Sequence, residues 1–225
     1  MALKDAESDV DNAITREGKR GMSYENAFGG ILSFMRRNYT KNLAGVDLAV
    51  TGIPFDQAVT NRPGSRFGPR AIREASTLQP CDAPFGWDIN PLLDFDIVDY
   101  GDLAFDYANV AAFPKRLTDH IRGILEHGSG VLSFGGDHYV TFPILRAFVE
   151  KFGPIALVHF DAHSDTWPDD DMERIDHGTM FYKALKEELI IPDKSVQIGI
   201  RTHNDFNAGV HVIAAPQVHS QTPSM

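Results

Sequence analysis

Two apolar runs ending in metal-ligand side chains decide how this chain folds: Val131-Leu132-Ser133-Phe134-Gly135-Gly136-Asp137-His138 and Ile155-Ala156-Leu157-Val158-His159-Phe160-Asp161-Ala162-His163-Ser164-Asp165. Each apolar run reads as a buried strand of a parallel sheet. An open α/β sheet places its active site at the carboxyl ends of neighbouring parallel strands. The expectation is that 131–134 and 155–160 share one sheet and deliver most of a two-metal site.

Outward from these runs, 46–52 reads as a first strand closed by Gly52 and Pro54. A loop over 55–67 leads into Gly68-Pro69-Arg70, and Pro69 suits the first turn of a helix reaching about Ser76. The segment 77–92 looks irregular, and 95–99 reads as a second strand. Between them and the first cluster, Leu117, Ile121, Ile124 and Leu125 fall at helical spacing, which predicts a helix over 113–127. Further helices are expected over 141–150 and 180–188, and a last core strand over 196–200. Strands alternating with helices mean βαβ units and a parallel sheet. Residues 1–25 are polar with little periodicity and read as an N-terminal arm. Residues 26–215 read as a single α/β domain, and 216–225 as a polar tail.

With 225 residues, 43% of them hydrophobic, the chain can bury one sizeable core. No apolar run reaches the roughly 18 residues of a membrane helix, and the first residues lack an apolar signal segment. A single cysteine, Cys81, gives no disulfide framework. A cytoplasmic protein that binds neither membrane nor nucleic acid is the expectation. The net charge of −10 opposes non-specific nucleic-acid binding and suits a cationic small ligand.

In Asp161-Ala162-His163-Ser164-Asp165, side chains at i, i+2 and i+4 of an extended segment lie on one side, so all three can face one point. Imidazole plus carboxylates suits a divalent metal with mixed N/O coordination, such as Mn²⁺. The bland alternative is a polar loop whose Asp and Ser cap the next helix. Gly135-Gly136-Asp137-His138 allows a tight turn, but an ordinary helix-start histidine is the commoner reading of His138 alone. Asp176-His177-Gly178-Thr179-Met180-Phe181 opens a helix after a short acidic loop, and His177 titrates in the range suited to proton shuttling. Arg62, Arg66 and Arg70 read as structural partners of the excess carboxylates, and Asp169-Asp170-Asp171 as a solvated acidic loop.

Together with Gly52-Ile53-Pro54-Phe55-Asp56 and Gly64-Ser65-Arg66-Phe67-Gly68-Pro69, these motifs make 46–201 resemble the ureohydrolase family of arginases and agmatinases, in its agmatinase branch. The resemblance implies a three-layer α-β-α fold with a mainly parallel sheet. It also implies two Mn²⁺ ions that activate water for hydrolysis of a small cationic guanidino substrate, agmatine, to urea and putrescine in polyamine biosynthesis. His138 and Asp165 would then ligate one metal and His163 the other, with Asp161 bridging and His177 as the proton relay. A homo-oligomer is implied for the intact family. A guanidinobutyrase-type guanidino-acid hydrolase is the alternative substrate reading.

The family supplies two further metal carboxylates from a later D-x-D motif, and no D-x-D follows a suitable strand after Arg201 here. The sequence therefore resembles an arginase-like fold lacking its C-terminal third. On that basis one or no Mn²⁺ is expected for this chain, and a catalytically dead truncated homologue is a second alternative.

Overall fold

The computed structural model describes residues 28–78, 83–206 and 208–221, so the arm expected over 1–25 lies outside it. Two compact units emerge. The first is formed by the segments through Gln57, Arg62–Ala108 and Asp119–Asp137, and the second by Ala58–Asn61, Asn109–Thr118 and the chain from His138 onward.

The first unit holds three strands, β1 (Leu48–Ile53), β2 (Ile97–Asp102) and β3 (Gly130–Gly135), all parallel, in the order β2-β1-β3. The central strand β1 is buried along almost its whole length, and the one polar side chain in it, Thr51, donates to the Gly101 carbonyl. Helix α1 (Gly68–Ser76) begins with Pro69 in its first turn, a position where the missing N–H costs nothing. A short helix α2 (Pro91–Asp94) interrupts the segment expected to be irregular. Helix α3 (Phe113–Glu126) is divided between the units, and its part in this one buries Ile121, Ile124 and Leu125. Ile124 joins Leu43, Val46, Ala49 and Val98 in one core cluster, and Val50, Leu92 and Ile97 form another. A buried ion network ties α1 to β2. The Arg73 guanidinium donates to both oxygens of Asp99, at 2.6 and 2.9 Å, and to Asp102 at 2.6 Å. Gly136 follows β3 with a φ of 79°, and a Cβ there would run into the carbonyl oxygens of Ile53 and Phe55. Only glycine lets the backbone after β3 approach the end of β1 so closely.

The second unit also has three parallel strands, β4 (Val158–Phe160), β5 (Val196–Ile200) and β6 (His211–Ala214), in the order β4-β5-β6. Helices α4 (Thr141–Phe152) and α5 (Met180–Lys186) bury Phe142, Leu145, Ala147, Met180, Phe181 and Ala184. Arg146 on α4 reaches Glu187 just beyond α5 with two hydrogen bonds, of 2.8 and 2.5 Å. A final short helix α6 (Ala215–His219) takes up the start of the expected polar tail.

The parallel α/β class stands, but the placement of its strands differs from expectation. The runs 131–134 and 155–160 fall in different sheets, since β3 pairs with β1 and β4 pairs with β5. β4 is also shorter than expected. Ile155 leaves the ladder to make an isolated bridge with Ile190, and Leu157 N–H donates to the Ser195 hydroxyl at 2.9 Å. Neither run is buried on both sides. Leu132 is 37% exposed, Val158 63% and Phe160 74%. Adjacent strand ends therefore do not bring the two motifs together.

Candidate metal centre

Within the second unit, His138 meets the Asp161–Asp165 motif by another route. His138 opens a 3-10 turn, His138–Val140, that runs directly into α4. Its Nδ1 lies 2.8 Å from Asp165 Oδ2 and 3.2 Å from Asp161 Oδ2. The buried imidazole of His159 places Nε2 3.2 Å from the same Asp161 oxygen. One ligand atom from each of His138, His159, Asp161 and Asp165 falls within 4.8 Å of the others. Phe181 walls this group, its ring centroid 5.7 Å from His138 and 4.7 Å from His159.

His163 stands outside that group. Its side chain is half exposed, and its Nδ1 lies 3.4 Å from Asp161 Oδ1. The two oxygens of Asp161 thus face two different sets of imidazoles. His177 is half-buried in the turn before α5 and is not one of the four clustered donors.

One-sided alternation along an extended segment does not produce this arrangement. The chain bends at Ala162 and His163, where the His163 N–H donates to Asp161 Oδ1 at 3.0 Å. Asp165 then adopts a φ of 51°, a left-handed conformation uncommon outside glycine. Such a conformation persists only where its surroundings over-determine it. They do so here. Phe181 N–H donates to the Asp165 carbonyl at 2.9 Å, and Arg201 N–H and the Thr202 hydroxyl each donate to the Ala162 carbonyl at 2.9 Å. The Asn204 amide spans the hydroxyls of Ser164 and Thr166, 2.9 Å from each. Gly199, with a φ of 93°, lies beneath the turn, and a Cβ there would approach the Asp161 carbonyl oxygen to 3.2 Å.

Sequence reasoning passed over His159, Gln197, Thr202 and Asn204. One signal was available for His159. It precedes Asp161 by two residues, so strand periodicity puts both side chains on one face. Thr202 and Asn204 carry no such signal, because they reach the turn only after the chain leaves β5.

Burial pushes the His159 imidazole below its ordinary pKa, and the neighbouring His138 adds to the effect against the pull of Asp161. Burial alone would raise Asp161. The His163 N–H and the adjacent imidazoles outweigh it and hold the carboxyl below the usual range. Two imidazoles and two carboxylates, gathered within reach of one point, fit a divalent cation of mixed N/O preference. In the acidic loop Asp170 and Asp171 are exposed as expected, but Asp169 is not solvated. Its carboxylate lies 3.2 Å from the fully buried Lys183 ammonium, which also donates to the Arg174 carbonyl at 2.6 Å. Among the early arginines, Arg66 pairs with a carboxylate as expected. Its Nε donates to Asp56 at 2.6 Å.

Parallel strands with a carboxyl-end turn that gathers imidazoles and carboxylates define an α/β protein with a candidate divalent-metal centre. The arginase family model matches residues 46–224, and the chain belongs to the arginase family. An agmatinase of Chromobacterium violaceum is 55% identical over 93% of this chain. The crystal structure of a hypothetical agmatinase from Burkholderia thailandensis superposes with a TM-score of 0.89 at 48% identity, over 94% of this chain and 67% of that one. Proclavaminate amidino hydrolase from Streptomyces clavuligerus superposes at 0.80 with 35% identity, over 87% of this chain and 67% of its own. The chain spans 65% of the length of the Chromobacterium relative. Among the described residues, no helix is long and apolar enough to cross a membrane.

Proposed function

We propose that this chain carries the metal-binding part of a cytoplasmic agmatinase-type amidinohydrolase, which hydrolyses agmatine to urea and putrescine in polyamine biosynthesis. The observation that supports it most is the split use of Asp161, with one oxygen toward His138 and the other toward His163. The 55% identity to an agmatinase supports the same reading. His138, Asp165 and Asp161 would hold one Mn²⁺, and His163 with the second oxygen of Asp161 would contribute to another. Bound Mn²⁺ supplies Lewis-acid activation of water beside the guanidinium carbon. The two carboxylates hold negative charge where the cation and the cationic substrate both need it. Phe181 and the buried His159 exclude bulk water from one side. Water oxygen adds to the guanidinium carbon, the C–N bond to the amine then breaks, and His177 is assigned to pass a proton lost by that water to the departing amine nitrogen.

The amidino hydrolase likeness, at 35% identity, favours a second substrate reading in which the far end of the guanidino compound carries a carboxylate. Urea release with added Mn²⁺ separates the two. Measured on a version extended to the length of the relatives, agmatine is expected to be cleaved faster than 4-guanidinobutyrate, and the reverse order transfers the assignment. The 225-residue chain itself is expected to take up at most about one Mn²⁺, because hard carboxylate donors dominate Mn²⁺ affinity and the second ion has few here. Uptake of two ions with urea release by this chain would overturn that part.

A further inference from the structure

We propose that His159 is a positioning residue: held in the Nε2–H tautomer by Gln197, it donates to Asp161 and fixes which way each oxygen of that carboxylate points. The inference rests on the metal-centre reading above and assigns a role to a residue outside the expected ligand set.

The Gln197 amide nitrogen carries two hydrogens and no lone pair to accept with. It donates to the Ser164 carbonyl at 2.7 Å, which fixes which end of the amide is nitrogen, and it lies 3.1 Å from His159 Nδ1. Both groups are buried, so water does not replace either partner. His159 Nδ1 must therefore accept, and in a neutral imidazole the proton then sits on Nε2. Nε2 faces Asp161 Oδ2 at 3.2 Å and donates to it. In this tautomer Nε2 has no lone pair for a cation, so the proximity of His159 to the other three donors does not make it a ligand. The edge-on Phe181 ring, 4.7 Å away, keeps the imidazole from turning. With Oδ2 anchored, Oδ1 is left toward the His163 N–H at 3.0 Å and the His163 ring at 3.4 Å. Supporting hydrogen bonds of this kind orient metal-binding carboxylates and set their affinity.

The test uses the chain itself, with Mn²⁺ binding followed by the EPR signal of free Mn²⁺ and the imidazole tautomer read by ¹H–¹⁵N NMR without metal. His159→Phe keeps a ring but removes the donor, and is expected to weaken Mn²⁺ binding by about tenfold. His159→Gln restores an N–H near the Nε2 position and is expected to recover most of that loss. In the wild-type spectrum His159, identified by its disappearance in either variant, is expected as Nε2–H. Equal losses in both variants would make His159 a metal ligand and overturn the proposal, as would no loss in either. If the wild type takes up no Mn²⁺, the metal titration gives no signal and the spectrum decides alone. The metal-free spectrum still decides the hydrogen bond, and an Nδ1–H imidazole overturns the positioning role by itself.

Discussion

Asp161 offers one oxygen to His138 and the other to His163. Asp161→Asn keeps the shape and removes the charge both sides share. It is expected to cost Mn²⁺ affinity more than the roughly 10–100-fold typical of losing a supporting residue. His177→Asn, outside the donor group, is expected to leave affinity near wild type. Equal losses in a Mn²⁺ titration would refute the assignment. Asp56 makes a second residue-scale prediction. Its hydrogen bond with Arg66 holds its carboxyl below the ordinary range, and the N–H groups of Gly64 and Arg66 add to the effect. A carboxyl depressed in the folded state contributes stability that is present above its unfolded pKa, and that is lost as pH falls through the folded value. Asp56→Ala is therefore expected to cost about 1–3 kcal/mol at pH 7. The gap from wild type should narrow in urea titrations below about pH 4. A gap independent of pH would place the role of Asp56 in packing instead.

Lys183 on α5 has no solvent exposure, and it holds the loop that carries His177 through the Arg174 carbonyl and Asp169. Lys183→Met should free that loop. Trypsin would then cut after Arg174 faster than in wild type, and an unchanged rate would count against the tether. At this scale the sequence was informative where a pattern has one cause. Apolar residues at helical spacing marked α3, and Pro69 marked the start of α1. β6 went unread because parallel strands ordinarily need a crossover of a dozen or more residues, and only the loop 201–210 separates it from β5. Nor does alternation of strands and helices say which strand neighbours which, so one sheet was expected where there are two. The ligand types of the centre were legible, because His and Asp cluster at strand ends. The turn that aims them was not, because it depends on Gly199 near the end of β5 and on Thr202 and Asn204 beyond that strand.

Across the whole molecule, in-register pairing puts Val158, Phe160, Val196, Ile198 and Ile213 on one face of the second sheet. Val158 and Phe160 on that face are largely exposed. Apolar surface of this kind marks either an interaction face or an aggregation hazard. The chain is expected to bind the dye ANS while folded, and Val158→Thr combined with Phe160→Thr should remove most of that fluorescence. Strong binding that survives the double substitution would locate the apolar surface elsewhere. The pairing pattern also orders events in time. β1 finds its neighbour β3 only after α1, α2, β2 and α3 have been made, whereas β5 meets β6 across one loop. Closing a longer loop costs more entropy before any contact rewards it, and distant pairings form slowly. On the ribosome the first strand to emerge would thus be among the last to be locked in place. Pulse-labelled hydrogen exchange during refolding should protect the amides of 197–200 before those of 48–53, and the opposite order would show that the early half of the chain seeds the fold.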